Sequence, residues 1–250
     1  MNASYSFSVL NLERRPDRRE LFIDHHLHLG YDIDSIYFHK SRDGADYIDN
    51  ESMYKSMIEL YPQLKGITIE DGYLPLERGD LGYIWGCCEL LQAFIDGTPD
   101  TEFTIFIQDD CFLRPHSVRF DRILEHHSNG DPAFSCLKLH WWDFEQVPKG
   151  FDIEGFNFIA GWHGYGDRGI LMNRQAAQII LDQSLAQQRR LEYINVGFKG
   201  AKGFYSLTSY RKTSKTKSSV TGIRYHGSNI VMAHDRWSDQ DRQLLNKGEL

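Results

Sequence analysis

Cysteine is scarce: four residues in 250, at positions 87, 88, 111 and 136. Two are adjacent, no C-x-x-C occurs, and a chain of this length needs no covalent staples, so a disulfide framework is excluded. The thiols are expected to be reduced and mostly buried. Long apolar runs are also missing. No window approaches the ~18 consecutive apolar residues of a membrane-spanning helix. Residues 1–11 have neither the basic start nor the apolar stretch of a secretory signal, which makes the cytoplasm the expected compartment. The last four residues, KGEL, faintly echo an ER-retention tetrapeptide and without such a signal read as chance. An excess of positive charge is lacking as well: 28 Lys+Arg against 35 Asp+Glu leave a net charge of −7. Nothing overall would draw in phosphates, so broad nucleic-acid binding is not expected. What is present is a globular composition, 41% hydrophobic and 25% charged. No internal repeat or linker-like shift in composition divides it, and one domain is expected over 1–250.

Residues Tyr5 to Leu12 (YSFSVLNL) alternate as a buried strand. Pro16 follows at a position that a first helical turn tolerates, and Leu21, Phe22, His25 and Leu29 recur at helical spacing up to Gly30. Ile33 to His39 reads as a second strand, so the chain opens strand–helix–strand, the start of an α/β layer. Helices are expected over Asn50 to Leu60, Asp80 to Asp96, Ser117 to His127 and Arg174 to Gln187. Phe103 to Ile107 (FTIFI) is apolar throughout and therefore a central strand. Ala133 to Leu139 is another strand. Between 208 and 222 the pattern breaks: RKTSKTKSSVTG carries Arg211, Lys212, Lys215 and Lys217 among hydroxyls, and is expected to be a flexible basic loop unless an anion orders it.

The chemistry concentrates where FTIFI ends, at Gln108-Asp109-Asp110. Ligands of open α/β sheets bind outside the carboxyl ends of strands. Two adjacent carboxylates released there repel each other, and neither can be buried cheaply without a cation. A hard divalent ion such as Mg²⁺ or Mn²⁺ removes that conflict and can bridge to a diphosphate. The plain alternative is an exposed turn that happens to carry two acids.

Five segments, in order, resemble glycosyltransferase family 25, the lipooligosaccharide and collagen galactosyltransferases: VLNLERRPDRR, KSRDGAD, GDLGYIWGCCEL, TIFIQDDCFL and GYGDRGILMNRQAAQIIL. The likeness covers roughly residues 5–182. It implies a GT-A fold with a mostly parallel Rossmann-like sheet flanked by helices. A nucleotide-sugar half would lie at about 1–115 and an acceptor half at about 116–250. It also implies a nucleotide-sugar donor, with UDP-hexose favoured, a glycan or protein hydroxyl as acceptor, and Mn²⁺ (or Mg²⁺). By position Asp110 corresponds to the metal-binding carboxylate, with Gln108 and Asp109 completing the motif. Arg14, Asp43 and Gly44 fall at the nucleoside, Asp80 near the donor sugar, and Asn11 joins them among the donor-binding candidates. Two departures stand out: Gln108 occupies the place of the family's first acid, and the Ser-His of its helix is missing near Cys88-Glu89.

Further metal ligands are sought at His226 and His234, as folds of this kind often take a histidine from near the C-terminus. Lys215 and Lys217 of the basic loop are candidates for neutralising a leaving diphosphate. Asp143 and Asp167 are candidates for the base that takes the acceptor's proton. Trp141, Trp142 and Trp162 nearby are candidates for stacking on a sugar, although each is equally an ordinary core aromatic. Two other readings compete. One is a catalytically degenerate protein that binds a nucleotide or glycan without turnover. The other is a non-haem iron oxygenase suggested by His140-x-x-Asp143, against which the helix-rich alternation argues.

Overall fold

β1 (Tyr5–Asn11) is buried along nearly its whole length. Phe7 and Val9 belong to one apolar cluster and Leu10 to another, so the strand separates two cores. The intervening hydroxyls stay paired inside the sheet: Ser8 and Thr104 share a hydrogen bond of 2.7 Å, and Ser6 meets Thr101 at 3.0 Å. The computed structural model describes residues 4–67, 77–113, 123–125, 134–144, 151–153, 156–161, 169–188, 203–209, 214–218, 222–228 and 230–232. Over 140–144, 151–153, 156–160 and beyond 204 it describes the backbone alone.

α1 (Pro16–His28) starts on proline at its first position and buries Phe22, His25 and His26. The expected second strand starts three residues late, as β2 (Ile36–Lys40). Asp32 accepts from the Asp34 N–H at 3.0 Å and turns Ile33–Ser35 into a single 3₁₀ turn instead. α2 (Asn50–Leu60) is fixed by reciprocal caps, Asp49 accepting from the Ser52 N–H at 2.7 Å and the Ser52 hydroxyl from the Asp49 N–H at 3.2 Å. α3 (Arg78–Ile95) and β3 (Phe103–Gln108) follow, then β4 (Cys111–Leu113) and β5 (Cys136–Lys138). β6 (His140–Phe144), β7 (Phe151–Ile153), β8 (Phe156–Ala160) and β9 (Ile170–Asn173) lead to α4 (Arg174–Gln187). The Asn173 side chain caps α4 by accepting from the Ala176 N–H at 2.9 Å. β10 (Phe204–Ser209), β11 (Ser214–Ser218), β12 (Gly222–Ser228) and β13 (Ile230–Met232) complete the described elements.

Eight strands form one sheet in the order β2-β1-β3-β9-β5-β10-β8-β7. β2, β1 and β3 are mutually parallel, as are β5 and β10, while β9 runs against both β3 and β5. β8 opposes β10, and β7 opposes β8. Six strands therefore point one way, and only β9 and β8 are reversed. α2, α3 and α4 pack against one face around Leu81, Trp85 and Ile180, and α1 covers the other around Phe22 and Phe112. This is the expected α/β class, a mixed and mostly parallel sheet flanked by helices. All four cysteines are free and buried. No helix among the described residues is long and apolar enough to cross a membrane.

The expected flexible loop over 208–222 needs correction. Its centre is β11, paired antiparallel with β12 from Ser214↔His226 to Ser218↔Gly222. Few apolar residues suggested a loop, but strict alternation of hydroxyl and lysine over SKTKS is compatible with a strand once a partner supplies the ladder. The expected helix over 117–127 lies outside the described residues except for 123–125, which are helical.

Candidate functional site

Parallel pairing sets three strand ends side by side, Asn11 opposite Lys40 and Leu10 opposite Gln108. Beyond those ends the Ser41 N–H donates to the Asn11 carbonyl at 2.8 Å and the Asp109 N–H to the Leu10 carbonyl at 3.1 Å. The chain after β2 is then pressed onto the first turns of α3. A Cβ on Gly82 would sit 2.4 Å from the Arg42 carbonyl oxygen, and one on Gly44 would sit 2.6 Å from the Arg78 Cβ. Any side chain at either position would force the segment off the helix. The result is a cavity of about 580 Å³, walled by the ends of β1, β2 and β3 and the start of α3.

Four arginines line this cavity, Arg14, Arg18, Arg42 and Arg78. Arg14 is ion-paired with Asp43, whose other oxygen accepts from the Ala45 N–H at 2.9 Å. Arg78 donates to the Tyr47 carbonyl at 2.6 Å. Arg42 grips Glu89 with its Nε 3.1 and 3.0 Å from the two carboxylate oxygens, and its guanidinium lies 4.7 Å from the Trp85 ring centre. Burial pushes the Glu89 carboxyl up, but His39 and Arg42 outweigh it and bring it down to about 2.

The acidic pair is held differently. Asp109 is only 6% exposed and accepts from Asn11 Nδ2 at 2.7 Å. A single nitrogen of Arg18 faces both carboxylates, 3.4 Å from Asp109 Oδ1 and 3.3 Å from Asp110 Oδ2. Burial first, and repulsion from Asp110 second, still push the Asp109 carboxyl above its usual range despite Asn11 and Arg18. Asp109 thus stays short of compensation for its charge, and an all-oxygen pair suits a hard divalent cation. Among the described residues no group of three or more His, Cys, Asp and Glu gathers to complete a metal site.

Of the residues singled out from the sequence, Asn11, Arg14, Asp43, Gly44, Gln108, Asp109 and Asp110 converge at this one place. Asp80 stands apart from the lining residues and caps α3, accepting from the Glu77 N–H at 3.3 Å, while Glu77, Arg78 and Gly79 beside it face the cavity. Asp143, Lys215, Lys217 and His226 share a small second sheet, β11-β12-β6, in which His226 pairs with Trp142 and Lys215 with Tyr225. Only their backbone is described. Asp167, Trp162 and His234 lie outside the described residues. Arg18, Arg42 and Arg78 escaped the sequence reading. Each abuts a motif, yet an arginine carries no local pattern that separates a solvated charge from one drawn into a cavity.

No family model matches the chain, and no curated protein matches it. Among solved structures it is similar to a glycosyltransferase involved in the glycosylation of the major capsid of PBCV-1, with 10% sequence identity and a TM-score of 0.34. The match takes in 72% of this chain and 66% of the other, just under two thirds of that protein's length. A likeness this distant carries no weight for activity.

Proposed function

We propose that this chain is a glycosyltransferase of the GT-A type, transferring a hexose from a nucleotide sugar, UDP-linked by preference, to a hydroxyl of a glycan or protein. The observation that carries the reading is the cavity at the three parallel strand ends, lined by four arginines and by Asp109, which shares its Arg18 partner with Asp110. A nucleoside diphosphate matches that pattern, being anionic, able to bridge to a metal, and flat at the base. Arg14 and Arg78 at the rim would bind the phosphates, and Leu10, Leu12 and Tyr83 would offer apolar contact to the nucleoside. Asp109 and Asp110 would hold Mn²⁺ or Mg²⁺, with His226 or His234 as a further ligand, and the bound ion would neutralise charge on the departing diphosphate. Lys215 and Lys217 would add positive charge from β11. Asp143 or Asp167 would take the acceptor's proton as the anomeric carbon acquires oxocarbenium character.

A second reading has one observation in its favour. Gln108, where the resembled family has an acid, leaves the motif a carboxylate short, as in a protein that binds a nucleotide or glycan without turnover. Thermal unfolding against nucleoside diphosphates and nucleotide sugars, with and without Mn²⁺, tests binding. A ligand at about 100 times its Kd should stabilise the fold by about 2.7 kcal/mol. The expected result is stabilisation by one nucleotide that requires the metal and is abolished in Asp110→Ala. Release of free sugar from the bound donor then separates the enzyme from the binding module. If no nucleotide shifts the transition, the glycosyltransferase reading fails.

A further inference from the structure

The two acids that follow β3 divide their oxygens in the same way. Asp109 accepts from Asn11 Nδ2 at 2.7 Å through Oδ2, and Asp110 accepts from the Cys111 thiol at 3.4 Å through Oδ1. Their other oxygens, Asp109 Oδ1 and Asp110 Oδ2, both face Arg18 Nη1, at 3.4 and 3.3 Å. Each carboxylate is thus anchored by a neutral donor through one oxygen and turned toward the same cation through the other. Replacing that cation would leave both anchors in place.

The other three arginines that line the first cavity hold partners elsewhere. Arg14 is paired with Asp43, and Arg78 donates to the Tyr47 carbonyl. Arg42 grips Glu89 and also borders a second cavity, of about 610 Å³, which shares Ser41–Asp43 with the first. There Lys40 and Arg42 meet Asp43, Asp46, Glu89 and Asp96, a balance that disfavours an anion. Arg18 differs from all three, because its carboxylates are the pair that a divalent ion would need.

Two cations cannot share those oxygens on equal terms. A divalent ion held by the pair carries twice the charge of the guanidinium and would repel it. Arg18 is half-buried and lines the first cavity, so a guanidinium moved off the pair remains beside the space assigned to the diphosphate. Its planar fork suits phosphate oxygens as well as it suits carboxylates.

We infer that Arg18 is an exchangeable counter-ion of the acidic pair: it occupies Asp109 and Asp110 without metal, yields them to Mn²⁺ or Mg²⁺, and is thereby released to bind the donor's diphosphate. The second step rests on the nucleotide-sugar reading, and the first does not. Metal and nucleotide then favour each other's binding, since the nucleotide gives the displaced arginine a new partner.

Binding of Mn²⁺ alone to the intact chain, followed by the paramagnetic resonance of the free ion, tests the first step. Calorimetric titration with UDP at saturating Mn²⁺ tests the second. Arg18→Gln and Arg18→Met remove the competing charge. Each should bind Mn²⁺ about tenfold more tightly than the parent and, once loaded, UDP about tenfold more weakly. A side chain that merely supported the fold would lose both affinities together. Arg14→Gln takes a charge from the same cavity but not from the acidic pair, and should weaken UDP while leaving Mn²⁺ affinity near the parent's. Asp110→Ala should abolish Mn²⁺ binding in the parent and in Arg18→Gln alike. The inference is overturned if neither Arg18 variant gains Mn²⁺ affinity, if Arg14→Gln gains as much, if the gain survives Asp110→Ala, or if the loaded Arg18 variants bind UDP as the parent does. A chain that binds no nucleotide, yet gains Mn²⁺ affinity on losing Arg18, would remove the transferase reading and leave the competition for the pair standing.

Discussion

Two arginines of the first cavity meet carboxylates, and they meet them in opposite ways. Arg42 faces one carboxylate, grips both oxygens of Glu89, and spreads its flat cation over Trp85. Arg18 faces two, its Nη1 lying 3.4 Å from Asp109 and 3.3 Å from Asp110. The electrostatic consequences diverge accordingly. Glu89 is held at about 2, while Asp109 is pushed up. A closed pair of this kind belongs to the framework, since its charge is satisfied before any ligand arrives. An open triad retains a demand for positive charge, which a bound ion or a reorganised arginine can meet only when a ligand is present. Sites that bind are often those that the fold leaves incomplete.

The strongest way to break the closed pair is through its backbone. Gly82→Val would drive the helix against the Arg42 carbonyl and should cost about 1–3 kcal/mol, read by chemical denaturation, with nucleotide binding lost as well. Next comes Glu89→Gln, which leaves Arg42 half-satisfied. Partial exposure of the pair to solvent limits the expected loss to about 1 kcal/mol. This loss carries a pH signature. Because the folded Glu89 titrates below its unfolded value of 4.5, its contribution is complete above about 4.5 and fades as pH falls through about 2. The melting temperatures of parent and Glu89→Gln should therefore stay a constant distance apart at neutral pH and converge in acid. Equal spacing at pH 2 would contradict the assignment.

Asp109→Asn is expected to act with the opposite sign. Removing an under-compensated buried charge while keeping a partner for Asn11 should leave stability in chelator unchanged or raise it by up to about 1 kcal/mol. A marked loss would mean that the triad is as closed as the pair, and the contrast would collapse. Arg14→Gln should have the smallest effect on folding, because the side chain is 59% exposed in its pair with Asp43, and exposed pairs contribute about 0–1 kcal/mol. Its effect should appear in nucleotide affinity, measured by calorimetry, and hardly at all in the melting curve.

Local signals made much of this legible in advance. α2 and α4 have the bounds read from the sequence, because Asp49 and Asn173 cap them and their apolar spacing is regular. FTIFI was recognisable as a central strand because both of its faces are buried, and the acidic pair at its end followed from strand geometry alone. The reversal of β9 was not legible: Ile170–Asn173 is apolar in either direction, and only its pairing with β3 and β5 sets its sense. Polar β11 was missed because its order depends on pairing with β12, four to twelve residues away, and not on any apolar face of its own sequence. Arg18 was invisible for the same reason. Its partners lie more than ninety positions along the chain, and nothing near it records their approach.

The stacking of Arg42 on Trp85 has an optical consequence. Trp85 is 2% exposed in an apolar cluster, its indole N–H has no hydrogen-bond partner among the described residues, and the Arg42 guanidinium lies 4.7 Å from its ring centre, a full charge close to the excited ring. Arg42 borders both cavities, one anion-suited and one not. A chain in which the other four tryptophans are replaced by phenylalanine would thus carry a fluorophore set against the wall between them, whose emission colour shifts whenever either chamber fills and tugs that guanidinium away.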